Sequence, residues 1–248
     1  MSQTWRFLAT LPPLLSGELH LWRIDIPVAP TPCDHLLAPE ELTRAERLRI
    51  PHVRHQFTVA RAALRTLLGH ILHLPPSEVP IVLRPYGKPE IPGNPVHFNL
   101  AHSRSTILIA LCRDSPVGVD LEYLDRATDI LEVARTSFAP SESRQIAQLP
   151  TPDDQRRAFF HCWTRKEAVV KADGRGLSLP LTAFEVPVLA IAVDTPVLIA
   201  EAFRLPGAPS TWFATGIDVG QGIAAACAAA TIGLQLRTLS FPIGAFYL

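Results

Sequence analysis

The chain has few cysteines, no excess of charge of either sign and no long uninterrupted apolar run, and each shortage removes a class of function. Its four cysteines (Cys33, Cys112, Cys162 and Cys227) stand far apart with no C-x-x-C pair. That argues against a zinc knuckle, supplies no disulfide framework and favours a reducing compartment. Lys plus Arg equals Asp plus Glu at 23 each, for a formal net charge of zero. A protein that grips duplex nucleic acid by its phosphates normally carries a basic excess, so no nucleic-acid partner is expected. A local basic pocket is still compatible with a balanced total. The longest apolar stretches, Val186 to Ala200 and Gly222 to Leu234, are too short or too broken to span a bilayer. Pro187, Asp194 and Pro196 interrupt the first; the second is Ala-rich and reads as a buried strand. Phe7 to Leu15 follows Arg6 but is broken by Pro12 and Pro13, a meagre match to a signal peptide. Cytoplasmic residence with no membrane association is the expectation.

What is present is ample core material: 248 residues, 48% hydrophobic and 19% charged, with 24 scattered prolines that mark turns and strand ends. His20 to Ile26 alternates like a strand, and a helical region begins near Glu40, carrying Arg44, Arg47 and Arg49. Phe57 to Leu72 has apolar residues at helical spacing. Strands are expected at Val96 to Leu100, Ile107 to Arg113 and Val117 to Tyr123, then helices at Ile130 to Thr136, Ser141 to Leu149 and Pro152 to Ala172. β-prone runs follow near Phe184, Val197 to Phe203, Trp212 to Asp218 and Ile223 to Ala229. The order is that of an α+β protein, and two α/β halves, 1–115 and 116–248, would satisfy it. No sequence repeat is visible to support the halves.

Two segments carry chemistry. In Val117-Gly-Val-Asp-Leu-Glu-Tyr, extended backbone puts Asp120 and Glu122 on one face, with Val119 and Leu121 on the other. Neighbouring carboxylates repel unless a cation or solvent compensates, and oxygen ligands so spaced suit a hard ion such as Mg²⁺. An edge strand with a wet acidic face explains the same residues, and D-x-E is a common pattern. In His161-Cys-Trp-Thr-Arg-Lys-Glu-Ala-Val-Val-Lys, helical spacing aligns Trp163, Glu167 and Lys171, with Lys166 beside that face. Glu167 could be a third oxygen ligand and Lys166 and Lys171 phosphate partners. A surface ion pair with a Trp core anchor is the plainer alternative.

Together the segments are more specific. Gly118-Val-Asp-Leu-Glu followed by Trp163-Thr-Arg-Lys-Glu-x-x-x-Lys171 resembles the signature of the 4'-phosphopantetheinyl transferase superfamily. Gly174-Arg-Gly-Leu-Ser-Leu-Pro180, Tyr86-Gly-Lys-Pro, Val96-His-Phe-Asn-Leu-Ala-His-Ser103 and Arg61 to Gly69 are similar to further blocks of that family, in the right order. The length resembles the larger, surfactin-type class. That resemblance implies an intrachain pseudo-dimer of two α/β halves, with coenzyme A bound in the cleft between them.

It also implies roles. Asp120, Glu122 and Glu167 would hold Mg²⁺, Mn²⁺ being indistinguishable by ligand type. Glu167 is the candidate general base. Lys171 and Lys166 would steady the phosphates. His102, Lys88 and Arg61 look like nucleotide contacts, as does Arg49 with neighbouring Arg47. For Arg61 and Arg47, a solvated helix charge explains the residue as well. Glu142 fits a family position after Phe138, but a carboxylate at a helix N-terminus accounts for it equally. Ala101 stands where serine is usual, and a lost neutral hydrogen bond of about 0.5–1.5 kcal/mol would weaken coenzyme A binding. The partner implied is an apo acyl or peptidyl carrier protein, and the enzyme itself is expected to be a monomer. A coenzyme A-binding module without catalysis, or a metal-dependent phosphoester hydrolase, are the competing functions.

Overall fold

The computed structural model describes residues 4–189, 194–204 and 208–247. In chain order the elements are β1 (Arg6–Phe7), β2 (Glu18–Asp25), α1 (Pro39–Arg47), α2 (Pro51–Leu72), β3 (Val82–Leu83), β4 (Pro89–Glu90), β5 (His97–Ser103), β6 (Thr106–Cys112) and β7 (Val117–Tyr123). Then come α3 (Ile130–Ser137), α4 (Pro140–Ala147), α5 (Pro152–Asp173), β8 (Thr195–Leu198), β9 (Thr211–Ile217), β10 (Ile223–Ala229) and β11 (Gln235–Ser240). Strands β1-β11-β2-β6-β5 form one sheet and β7-β10-β9-β8 a second, with β3 and β4 in a small hairpin.

The period-2 alternation of the strands assembles four layers. Ile107, Ile109 and Leu111 of β6 point toward α2, while Leu108, Ala110 and Cys112 point toward the second sheet. Ala224, Ala226 and Ala228 of β10 likewise face α5, and Ala225, Cys227 and Ala229 meet the first sheet. The order is therefore helix, sheet, sheet, helix. The small side chains of β10 let α5 and the first sheet approach closely from its two sides.

The same plan occurs twice in the chain: a first strand, helices, then a hairpin whose second strand lies central in the sheet (β2-β6-β5 and β7-β10-β9). This is an α+β intrachain pseudo-dimer. The repeat that the sequence concealed is a constant offset of 101 residues between Ala38-Pro39-x-Glu41 and Ala139-Pro140-x-Glu142, and between the 22-residue helices α2 and α5. In each half the Glu reaches back to the amide of the residue before its short helix, Ala38 at 3.2 Å and Ala139 at 2.9 Å. Each also takes a buried cation at the same point of the long helix: Arg65 on Glu41, and Lys166 on Glu142 at 2.8 Å. Glu142 is thus more than a helix-terminus charge; its second oxygen accepts from the Val186 amide at 2.7 Å.

Some expectations fail. The stretch near Phe184 forms a 3-10 turn, Leu181–Ala183, instead of a strand, and Val197 to Phe203 is strand only to Leu198. Residues 190–193 of the apolar run from Val186 to Ala200 lie outside the described residues. Helix α2 begins at Pro51, six residues before its apolar periodicity, because proline suits the first helical position. Among the described residues no helix is long and apolar enough to cross a membrane.

Candidate active site

The sheets meet along a seam where β7, bonded to β10 on one side, lies against the edge strand β5. There the Val119 amide donates to Asn99 Oδ1 at 2.9 Å and Ser103 Oγ to Glu122 Oε2 at 3.3 Å. Val117, Val119 and Leu121 sink between the sheets, so Gly118, Asp120 and Glu122 face α5. Gly118 is required by the packing: a Cβ there would collide with the Ala168 carbonyl oxygen and the Ala172 amide. The helix lies directly on the strand and delivers Glu167 and Lys171 to its acidic end.

Asp120 is 6% exposed; Oδ1 accepts from Lys171 Nζ at 2.6 Å, and Oδ2 is buried with no hydrogen-bond partner. Burial pushes its carboxyl up to about 7, against the pull of the Lys171 ammonium and with a further push from Glu167 and Glu122. Burial also raises Glu167, and the Glu122 charge adds to it while Lys171 opposes. The three carboxylates therefore feel one another across a single neighbourhood. As placed, Asp120 and Glu122 are turned to separate cations, Lys171 and Arg126, each at 2.6 Å. Among the described residues no three acidic, imidazole or thiol groups are gathered in metal-holding positions. The donor chemistry nonetheless suits a hard divalent ion: the oxygens are carboxylate, mutually repelling, and one of them is buried and unsatisfied.

Glu167 and Lys171 open onto a cleft of about 560 Å³, walled by Tyr86 and Lys88 from the first half and by Trp163, Thr136 and Leu181 from the second. His102 is exposed at the end of β5, and its Nδ1 faces Gln56 Nε2 at 2.9 Å. The same amide nitrogen donates to the Arg104 carbonyl, also at 2.9 Å. An amide NH₂ held by that carbonyl can only donate to the ring, so Nδ1 accepts and Nε2 carries the proton. Burial, then Lys171, lowers the His102 pKa, opposed by Glu122.

The remaining candidates are scattered. Lys166 does not reach the cleft: fully buried, it is held by Glu142 and by the Leu181 and Phe184 carbonyls, both at 2.7 Å. One helical step from Glu167 turns it about 100° away, into the core. Arg61 is paired with Glu41 at 2.5 Å, and Arg49 is exposed beyond the end of α1. Lys88 spends its ammonium on the Ala172 and Val117 carbonyls at 2.7 and 3.1 Å. Ala101 is 4% exposed among the apolar residues between the sheets, so a serine hydroxyl there would be buried rather than offered to a ligand. Sequence reasoning missed Gln56 and Arg126. Only the four-residue spacing of Arg126 from Glu122 could have signalled either.

The family model for the 4'-phosphopantetheinyl transferase superfamily matches residues 116–227, the stretch that carries β7 and α5. The chain is 36% identical over 172 residues to 4'-phosphopantetheinyl transferase HetI of Nostoc sp., covering 66% of this chain and 72% of that one. It is 32% identical over 167 residues to a 4'-phosphopantetheinyl transferase of Bacillus subtilis (66% and 73% covered). Against 4'-phosphopantetheinyl transferase Sfp of Bacillus subtilis strain 168 it is 30% identical over 151 residues (60% and 66% covered). A doubled α+β fold with an acidic seam and relatives of this kind defines a transferase. The chain belongs to the 4'-phosphopantetheinyl transferase superfamily.

Proposed function

We propose that this enzyme transfers the 4'-phosphopantetheine arm of coenzyme A to a serine hydroxyl of an apo acyl or peptidyl carrier protein, with Mg²⁺, releasing 3',5'-ADP. The observation that carries the proposal is the acidic seam itself, where Asp120, Glu122 and Glu167 share one charge environment with Lys171 beside a cleft. The division at 115/116 belongs to the same reading, in which the cleft lies between the halves.

Asp120 and Glu122, with Glu167, would hold the divalent ion, whose charge would offset that of the diphosphate. The serine oxygen forms a bond to the pantetheine-side phosphorus while the bond from that phosphorus to the bridging oxygen breaks, and 3',5'-ADP departs with the bonding pair. Glu167 takes the hydroxyl proton. Its raised pKa makes it a stronger base than an exposed carboxylate, and it borders the cleft. Lys171 sits one turn further along the same face, placed to exchange its pairing with Asp120 for a phosphate oxygen. His102, and Arg61 and Arg49 of the first half, are the proposed contacts for the nucleotide end.

The test is to incubate purified protein with Mg²⁺ and coenzyme A and to follow 3',5'-ADP with and without an apo carrier domain. Release that requires the carrier supports transfer. Cleavage of coenzyme A at the same rate without carrier would make the protein a hydrolase.

A further inference from the structure

Lys88 comes from the turn between β3 and β4, in the first half, and reaches across to the second. Its ammonium donates to the Ala172 carbonyl in the last turn of α5 at 2.7 Å and to the Val117 carbonyl at the start of β7 at 3.1 Å. Carbonyls in a helix's last turn have no partner within the helix, so an ammonium there fills a standing need. The two elements it joins are the ones that matter chemically: β7 carries Asp120 and Glu122, and α5 carries Glu167 and Lys171. Beside these anchor points the helix rests on Gly118 backbone to backbone, so no side chain at that strand position holds it in register.

The stem of Lys88 runs in a socket shaped for it. A Cβ on Gly174, the left-handed residue ending α5, would come within 2.9 Å of Lys88 Cδ. Two of the three ammonium donors are committed to backbone. Burial, with Arg84 nearby, lowers the pKa to about 8: withdrawal from water disfavours the ammonium, and the two carbonyls offset that cost only in part.

We infer that Lys88 is a positioning residue, which fixes the register of α5 against β7 and hence the spacing of the seam carboxylates from Glu167 and Lys171, and that it is not a contact of the nucleotide. The inference rests on the transferase reading of the seam and assigns the register of its parts. A displacement of catalytic groups by about 1 Å is enough for a large rate loss.

The test separates turnover from binding with two cosubstrates, coenzyme A and 3'-dephospho-coenzyme A, and adds calorimetric binding of coenzyme A without carrier. For Lys88→Met the expected result is a kcat lower by roughly 10- to 100-fold with both cosubstrates. KM and the calorimetric affinity stay within about 3-fold of wild type, a shift under one pKa-unit equivalent of binding energy. A rise in KM or loss of affinity with kcat intact overturns the inference, as does a penalty that disappears with the dephospho compound. Unchanged kinetics also overturn it. If Lys88→Met does not fold, Lys88→Arg carries the test. Its guanidinium keeps the charge for a phosphate but spreads its donors over a wider fork than the socket beneath Gly174 admits. Positioning then gives the same kcat-led loss, and phosphate contact gives wild-type turnover. A wild-type protein that loads no carrier while binding coenzyme A normally removes the transferase reading, and this one with it.

Discussion

Strands β2 and β7 open the two halves and occupy matching places, yet one turns apolar residues and the other carboxylates toward its long helix. On the face toward its long helix, β2 carries His20, Trp22 and Ile24, the last two buried against α2. On the corresponding face β7 carries Gly118, Asp120 and Glu122. The far edge of β2 is sealed by β11, which leaves the second half and pairs parallel with it from Leu19 to Trp22 and beyond. The matching edge of β7 is left to the seam with β5. The helices diverge in the same way: at the offset of 101 residues, Glu167 corresponds to Thr66 and Lys171 to His70. What the halves share is the buried carboxylate–cation pair that ties the short helix to the long one. The two halves share a framework, and the acidic residues lie in one copy only, on an edge strand whose outer side is not covered by main-chain pairing.

The comparison can be broken first at the helix positions. Glu167→Gln should lower kcat by roughly 10²- to 10⁴-fold with the fold intact, whereas Thr66→Ala should leave turnover unchanged in the same loading assay. Next in size are the framework pairs. Lys166→Met strands the buried Glu142 carboxylate and should cost about 3–5 kcal/mol in urea denaturation, and Arg65→Met should cost less, because Arg61 still pairs with Glu41. If Lys166→Met instead keeps full stability and raises the KM for coenzyme A, Lys166 belongs to the phosphate site after all.

A smaller effect comes from the cost of the acidic seam. The Asp120 carboxyl titrates near 7 when folded, against an ordinary 3.8. Its favourable contribution is therefore complete below the ordinary value and is lost as pH rises through about 7. Asp120→Asn does not titrate, so in chelator its Tm should gain on wild type across that window while activity is lost. A Tm difference that does not vary with pH would place Asp120 in water. Smallest is Ala101→Ser, expected to leave the KM for coenzyme A within about 2-fold and to cost about 1 kcal/mol as a buried hydroxyl.

The faces of the candidate site residues were more legible than the framework around them. Alternation in Val117 to Tyr123 and helical spacing from Trp163 to Lys171 assigned Asp120, Glu122, Glu167 and Lys171 to the correct faces. Helical spacing alone misplaced Lys166, because a lysine beside a polar face looks the same whether its partner is a phosphate or a buried glutamate 24 residues earlier in the chain. The repeat was hidden for a related reason: Glu–Arg and Glu–Lys are interchangeable in a buried pair, and strands such as ELHLWRID and VGVDLEY share only their alternation. The return of β11 to the first sheet has no local signal, since parallel pairing over such a separation is decided by the assembled layers.

The most direct measurement of whether the second half's seam performs the transfer is the intact mass of an apo carrier domain incubated with coenzyme A, Mg²⁺ and either wild-type protein or Glu167→Gln. The account predicts the added mass of one phosphopantetheine group with wild type and essentially none with the variant in the same time. Equal loading by both, or none by the folded wild type across several carriers, would contradict it.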